Sequence, residues 1–170
     1  HHYVRVTFKG AERIIDILGG VTVKVPPGMD YDDPAQNLSI HLKPGVQLLN
    51  GKDAVKFARF RSGYPDQDLG RIKAQQELIK AFIDKLTGPK VLPKIFNIID
   101  AMSKCIKTNL ESGDIAQYAL HVKDIKMENI TFYTLPGDVG NMNKISYFLH
   151  DEAKLREMME QIREDLGVED

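Results

Sequence analysis

The sequence predicts an α/β domain, with a central mixed β-sheet flanked by helices as an α/β/α sandwich. Three observations carry that expectation. Residues 3–8 (YVRVTF) and 21–25 (VTVKV) alternate like strands and bracket an amphipathic helix, the arrangement of a parallel crossover. Leu69, Ile72, Ile79, Ile83 and Leu86 recur at helical steps and mark one face of a long helix. A chain of 170 residues, 42% hydrophobic and 28% charged, can bury a sizeable core.

Each element has local reasons. The first strand is rich in β-branched and aromatic residues. It opens with no lead-in, so residues 1–170 read as one domain that is incomplete, a C-terminal portion. Helix 10–18 places Ala11, Ile14, Ile15 and Leu18 on one face and stops at Gly19-Gly20. Strand 21–25 ends at Pro26-Pro27. Residues 28–37 (GMDYDDPAQN) are dense in turn formers and read as an exposed loop. Segments 38–43 and 46–50 flank Pro44-Gly45 as a hairpin would. A short helix covers 53–60, and the long helix that follows ends before Gly88-Pro89. Residues 91–108 continue as helix, with Pro93 tolerated in the first turn. Ser112 is the expected N-cap of helix 112–122, without a capping box because Ile115 stands three residues on. Residues 130–135 (ITFYTL) and 146–149 read as strands. Asp151 caps a last helix with Leu155, Met158, Met159, Ile162 and Leu166 turned inward.

Charge and cysteine usage narrow the function. Basic and acidic side chains nearly cancel, leaving −1, so no global field recruits nucleic acid or an anionic membrane. Any anion site must be local. Cys105 is the only cysteine, which excludes an intramolecular disulfide; its apolar helical surroundings make it a small core residue. No apolar run approaches the ~18 residues of a membrane span. His1 carries no information, and His41, His121 and His150 are scattered, as structural or exposed histidines are.

One stretch departs from this even composition. Residues 59–76 read RFRSGYPDQDLGRIKAQQ and hold Arg59, Arg61 and Arg71, three of the seven arginines. Arg59 and Arg61 project to the same side if the backbone between them is extended, and Gly63 and Pro65 favour a helix end near residue 60. Asp68 is the expected N-cap of the long helix. Arg71 and Gln75 lie one turn apart on its surface. Guanidinium forks beside a helix start suit phosphate oxygens better than a point charge does. Two or three of them could neutralise a pyrophosphate and hold it rigidly. The alternative is a set of surface salt bridges to Asp66, Asp68 or Asp30, each contributing ~0–1 kcal/mol.

LNGKDAVKFARFR (49–61) and DLGRIKAQQ (68–76) resemble the signature of the LytR-CpsA-Psr family of bacterial envelope proteins. The blocks FKGAERIIDILGGVTVKVP, MDYDDPAQNLSIHLKPGVQLLNG and TLPGDVGNMNKISYFLHDEAKL follow the same order, so the resemblance runs from about residue 3 to 166. It implies a phosphotransferase that moves a glycopolymer such as teichoic acid or capsule from a polyprenyl-pyrophosphate carrier onto a peptidoglycan hydroxyl. It further implies magnesium and a location on the outer face of the membrane, with an N-terminal anchor that these residues do not include. Under the resemblance, Arg59, Arg61 and Arg71 clamp the pyrophosphate, Asp68 orients an arginine or binds the cation, and Gln75 contacts the head group. Phe82, with Leu78, Leu86, Leu92, Ile95, Phe96, Ile99 and Met102, offers apolar surface for the lipid between two helices; ordinary core packing is the other reading of each.

Two departures from the family pattern stand out. Ala74 occupies a position where the family usually has arginine. The metal-holding strands of the family's amino-terminal half are not represented, so magnesium ligands are expected mainly outside these residues. Besides the enzyme, a module that binds lipid-linked or wall polymer without chemistry fits these departures. A nucleic-acid-binding attenuator is disfavoured by the net charge, the absence of tryptophan and the lack of a helix-turn-helix pattern.

Overall fold

The computed structural model describes residues 2–61, 63–64, 68–91, 93, 95–143 and 145–167, without the side chains of Asp68, Met142 and Ser146. The chain divides into two compact units, His1–Ile130 and Thr131–Asp170. The first contains β1 (Val4–Val6), α1 (Phe8–Ile17), β2 (Val21–Val25), β3 (Asp30–Asp33), β4 (Leu38–His41), β5 (Gly45–Leu49), α2 (Gly51–Arg59), α3 (Asp68–Thr87), α4 (Ile95–Ser103), β6 (Ile106–Thr108) and α5 (Ser112–His121). The second contains β7 (Gly137–Met142), β8 (Ile145–His150) and α6 (Glu152–Leu166). No helix among the described residues is long and apolar enough to cross a membrane.

The α/β class is as expected, and the strands form antiparallel pairs: β1 with β6, β2 with β5, β3 with β4 and β7 with β8. The parallel crossover expected between β1 and β2 is not formed among the described residues, because each strand takes a distant partner. Residues 106–108, expected as helix, leave it after Ser103 and pair with β1 in register Val4↔Thr108. The hairpin expected around Pro44-Gly45 is replaced by a different connection. Gly45, at φ 114°, carries the chain from β4 into β5, which pairs with β2 from Val21↔Leu49 to Val25↔Gly45. The true hairpin is β3–β4, inside the segment read as a loop. Asp33 caps its 3-10 turn (Pro34–Gln36), and Asn37 closes it in the left-handed region at φ 48°, which asparagine tolerates. On that ladder His41 bridges Asp30 and Asp32.

Helix ends shift for identifiable reasons. Thr7 accepts a hydrogen bond from the Gly10 N–H (3.1 Å), so α1 begins at Phe8 and the first strand stops at Val6. Asn50 does the same for α2 through the Asp53 N–H at 2.9 Å. In α5 the N-cap is Glu111 rather than Ser112, and Asp114 accepts from the Glu111 N–H at 3.0 Å. Cys105 is half-buried beyond the end of α4, not a core residue.

The main core forms where β2, β4, α2 and α3 meet. β2 turns Val21, Val23 and Val25 inward and Thr22 and Lys24 outward, as its alternation predicts. Those valines pack with Ile40, Leu49, Phe57 and Phe60. Burying Phe57 and Phe60 contributes about 1.5–3 kcal/mol each. A second cluster gathers Leu18, Val91, Ile95 and Val122.

Two glycines set how tightly the first unit closes. Gly20, in the left-handed region at φ 87°, ends α1 and lies against the Leu49 carbonyl, leaving no room for a Cβ. At Gly51 a Cβ would fall 1.9 Å from the Glu12 carbonyl oxygen, so α1 and α2 touch backbone to backbone. The Gly51 N–H also donates to Asp16 Oδ1 at 2.7 Å.

Residues 130–135, where the first unit ends and the second begins, do not form the expected strand. The glycine-containing segment 137–142 pairs with β8 instead, its hairpin turning through Asn143 at φ 53°. Asp151 caps α6 as expected, accepting from the Ala153 and Lys154 N–H groups. Leu155, Met158 and Ile162 are half-buried on that helix, whereas Met159 and Leu166 are exposed rather than inward.

Gly51→Ala is expected to cost about 1–3 kcal/mol, as over-packing does, and to lower the urea midpoint. Gly113→Ala, where nothing lies within 4 Å, serves as the control and should gain roughly 0.5–1 kcal/mol from helix propensity. Tyr64 packs edge-on against Phe60 at 5.4 Å, and its buried hydroxyl has no hydrogen-bond partner among the described residues. Burial raises its pKa above the ordinary value of 10.0. The neutral phenol therefore contributes stability that is present below the unfolded-state pKa and lost as pH rises through the folded-state value. Denaturant titrations on the alkaline side should show that loss in the wild type and a smaller one in Tyr64→Phe.

Candidate functional site

The site starts at the end of α2. Arg59 is its last residue, and Phe60 follows in extended conformation (φ −63°, ψ 133°). Phe60 is 2% exposed and enters the main core, while Arg59 and Arg61 on either side of it both line one cavity. The sequence reading of these two arginines as same-sided is met, and the alternation of an extended segment is the reason.

The start of α3 supplies the rest. Arg71 and Gln75, one turn apart, line the same cavity. The Gln75 amide donates to the Ala58 carbonyl at 3.2 Å, which ties α3 to the last turn of α2. Asp68 is the first residue of α3 rather than the residue before it; its side chain and all of Asp66 lie outside the described residues. Asp30, the other carboxylate considered for the arginines, is engaged by His41 across its own ladder.

The cavity has a volume of about 1160 Å³. Three arginines line it, together with the apolar side chains of Ala11 and Ile15 of α1, Leu38 of β4, Val55 of α2 and Leu78 and Ile79 of α3. The apolar surface expected between α3 and α4 is placed differently. Phe82 is not among the lining residues and packs against both hydrophobic clusters. Leu86, Ile95 and Ile99 belong to the second cluster, Phe96 is exposed, and Leu92 lies outside the described residues. Ala74 does not face the arginines: it is buried in the main core and borders a separate, smaller cavity with Lys73 and Tyr64.

Two residues that line the same cavity and touch Arg59 escaped the sequence reading. The Phe8 ring lies under the Arg59 guanidinium, 4.8 Å from centroid to Cζ. Gln36 accepts from Arg59 Nη2 at 3.4 Å. Phe8 was read as the end of a strand and Gln36 as part of a loop, and no local pattern connects either to residue 59. Chemically, the arrangement can receive an amphiphile with a phosphate head: guanidinium forks hold the oxygens, and the apolar wall removes the tail from water.

Residues 1–164 match the LytR_cpsA_psr family. The chain is 28% identical to Biofilm regulatory protein A of Streptococcus mutans over 98% of its own length and 41% of the relative's. It is 27% identical to the polyisoprenyl-teichoic acid–peptidoglycan teichoic acid transferase TagU of Bacillus licheniformis, over 98% of this chain and 52% of that one. The crystal structure of TagV from Bacillus subtilis superposes with a TM-score of 0.81 at 26% identity, covering 100% of this chain and 65% of that one. The chain thus spans about half the length of the curated relatives it matches.

Phe8 is 61% exposed, so Phe8→Leu should leave the unfolding midpoint nearly unchanged. Loss of the cation–π contact, about 0.5–1 kcal/mol at an exposed site, should weaken inorganic pyrophosphate binding measurably in calorimetry.

Proposed function

The chain belongs to the LytR-CpsA-Psr family, and on that premise we propose that its arginine-lined cavity holds a polyprenyl-pyrophosphate-linked glycopolymer for transfer to peptidoglycan. One observation carries the reading: Arg59, Arg61, Arg71 and Gln75 line one cavity together with the apolar side chains of Ala11, Ile15, Leu38, Val55, Leu78 and Ile79. The head of a lipid-linked donor matches the first set and its prenyl chain the second.

In this reading a peptidoglycan hydroxyl oxygen bonds to the phosphorus that carries the polymer. The bond from that phosphorus to the bridging oxygen breaks, and polyprenyl monophosphate leaves, with the proton given up by the hydroxyl passing to the departing phosphate or to water. The product joins polymer and wall through a phosphodiester. The arginines hold the two phosphates and offset the negative charge that gathers on the departing oxygen, where preorganised donors contribute most. Gln75, fixed at the α2–α3 junction, presents its remaining polar atoms to the head group. Ala74 costs this cavity no contact, since it is buried in the core.

Magnesium would supply further charge neutralisation. The described residues contain no group of three His, Cys, Asp or Glu side chains that could hold a metal ion, so no step here is routed through it. The polymer is proposed to be teichoic acid, capsule or a related glycan. The proposed location is the outer face of the membrane, reached through an anchor that the resemblance puts ahead of residue 1.

Calorimetry with geranylgeranyl pyrophosphate tests the donor site. Arg59→Ala or Arg61→Ala should each weaken binding by at least tenfold, since a hydrogen bond to a charged group contributes about 1.5–3 kcal/mol, with the fold intact by circular dichroism. Undiminished affinity in both variants would overturn the reading. Donor binding with no transfer to peptidoglycan, in a chain extended to the relatives' length, would leave the chain as a binding module.

A further inference from the structure

Arg59 is positioned by a relay from the β3–β4 hairpin as well as by its own helix. The relay starts at Asp33, which uses both carboxylate oxygens. Oδ1 accepts from the Ala35 N–H (3.0 Å) and the Gln36 N–H (3.2 Å) and so caps the 3-10 turn. Oδ2 accepts from the Gln36 side-chain Nε2 at 2.7 Å. Gln36 then offers Oε1 to Arg59 Nη2 at 3.4 Å. The turn itself is constrained by Pro34 at its start and left-handed Asn37 at its end. Its tip is therefore a fixed platform for the Gln36 amide.

The chemistry of the three groups allows one orientation. A carboxylate only accepts and a guanidinium only donates, so an amide between them must point its NH₂ at Asp33 and its oxygen at Arg59. The interposed amide also keeps charges apart. A carboxylate placed directly on Arg59 would neutralise the cation and compete with an incoming phosphate. Through Gln36, the negative charge at Asp33 orients the guanidinium without pairing with it. The long final contact biases its direction and leaves the other N–H donors for a ligand. The Phe8 ring packs against a face of the same guanidinium.

We infer that Asp33 and Gln36 are positioning residues that aim Arg59 into the cavity while leaving its charge available to an anion. The inference rests on the reading of the cavity as a pyrophosphate site. It makes neither residue a catalytic group, and it assigns the β3–β4 hairpin a part in donor affinity.

Asp33→Asn tests it sharply. Asparagine caps a turn about as well as aspartate, but its NH₂ would face Gln36 and invert the amide, turning a donor toward Arg59. Gln36→Glu instead puts a carboxylate on Arg59, and Gln36→Met keeps the shape without the amide. Titration of the 170-residue chain with geranylgeranyl pyrophosphate should give about tenfold weaker binding for Asp33→Asn and for Gln36→Glu, and a smaller loss for Gln36→Met. Thermal midpoints should stay at the wild-type value. The Arg59 guanidinium resonances in NMR should report faster rotation about the Nε–Cζ bond in Asp33→Asn and Gln36→Met, a signature that a purely structural role would not move. Affinities within twofold of wild type for Asp33→Asn and Gln36→Glu, with binding lost in Arg59→Ala, would overturn the relay. Equal losses in Gln36→Met and Gln36→Glu would overturn the part played by neutrality. Unchanged binding in Arg59→Ala alone would overturn the relay, and unchanged binding in Arg61→Ala as well would overturn the donor site beneath it.

Discussion

The cavity depends on how closely α1 lies against the start of α2. At Gly51 the two backbones are in contact, and the Gly51 N–H is fixed to Asp16. That contact sets the separation of two helices that share the cavity wall. α1 contributes Phe8, Ala11 and Ile15, and α2 contributes Val55, Ala58 and Arg59. A side chain at residue 51 would widen the gap at one end of α2 and tilt Arg59 at the other, because a short helix moves as a rigid rod. The absence of a single carbon thus bears on the position of a guanidinium two turns away.

The arginine cluster was legible in the sequence because its geometry is local. A helix end followed by one extended residue places positions 59 and 61 on one side, and one helical turn does the same for 71 and 75. Both relations follow from backbone repeats. The partners that complete the site were not legible for the converse reason. Gln36 and Phe8 reach Arg59 only through the folded chain, across 23 residues in the case of Gln36, and no short-range pattern encodes such a meeting. The apolar surface was placed only in part on the same ground: Leu78 lines the cavity, whereas Phe82, Leu86, Ile95 and Ile99 took the other reading and pack with the hydrophobic clusters.

The strands divide along the same line. β2 announces itself by strict alternation, because one face meets the core and the other meets solvent. Its partner could not be read, since Pro44-Gly45 suits a tight turn as well as a change of direction between ladders. β7, with two glycines, has little strand character of its own, and β6 is only three residues at the end of a helical pattern; both are fixed by pairing, β6 with the start of the chain and β7 with its hairpin mate. The segment 130–135 shows the opposite case, in which β-branched and aromatic residues do not by themselves make a strand.

Phe60 gives the arginine stretch an unusual sensitivity to reading frame. Its ring is part of the core and its two neighbours are part of the cavity, so three consecutive residues serve opposite environments. Inserting or deleting one residue here would exchange them, driving a guanidinium into the core and an aromatic ring into the cavity. Substitution can tune this stretch gradually, but a change in its length cannot. In descendants of this chain, insertions should collect in other loops, while the spacing between the first arginine and the second stays at two.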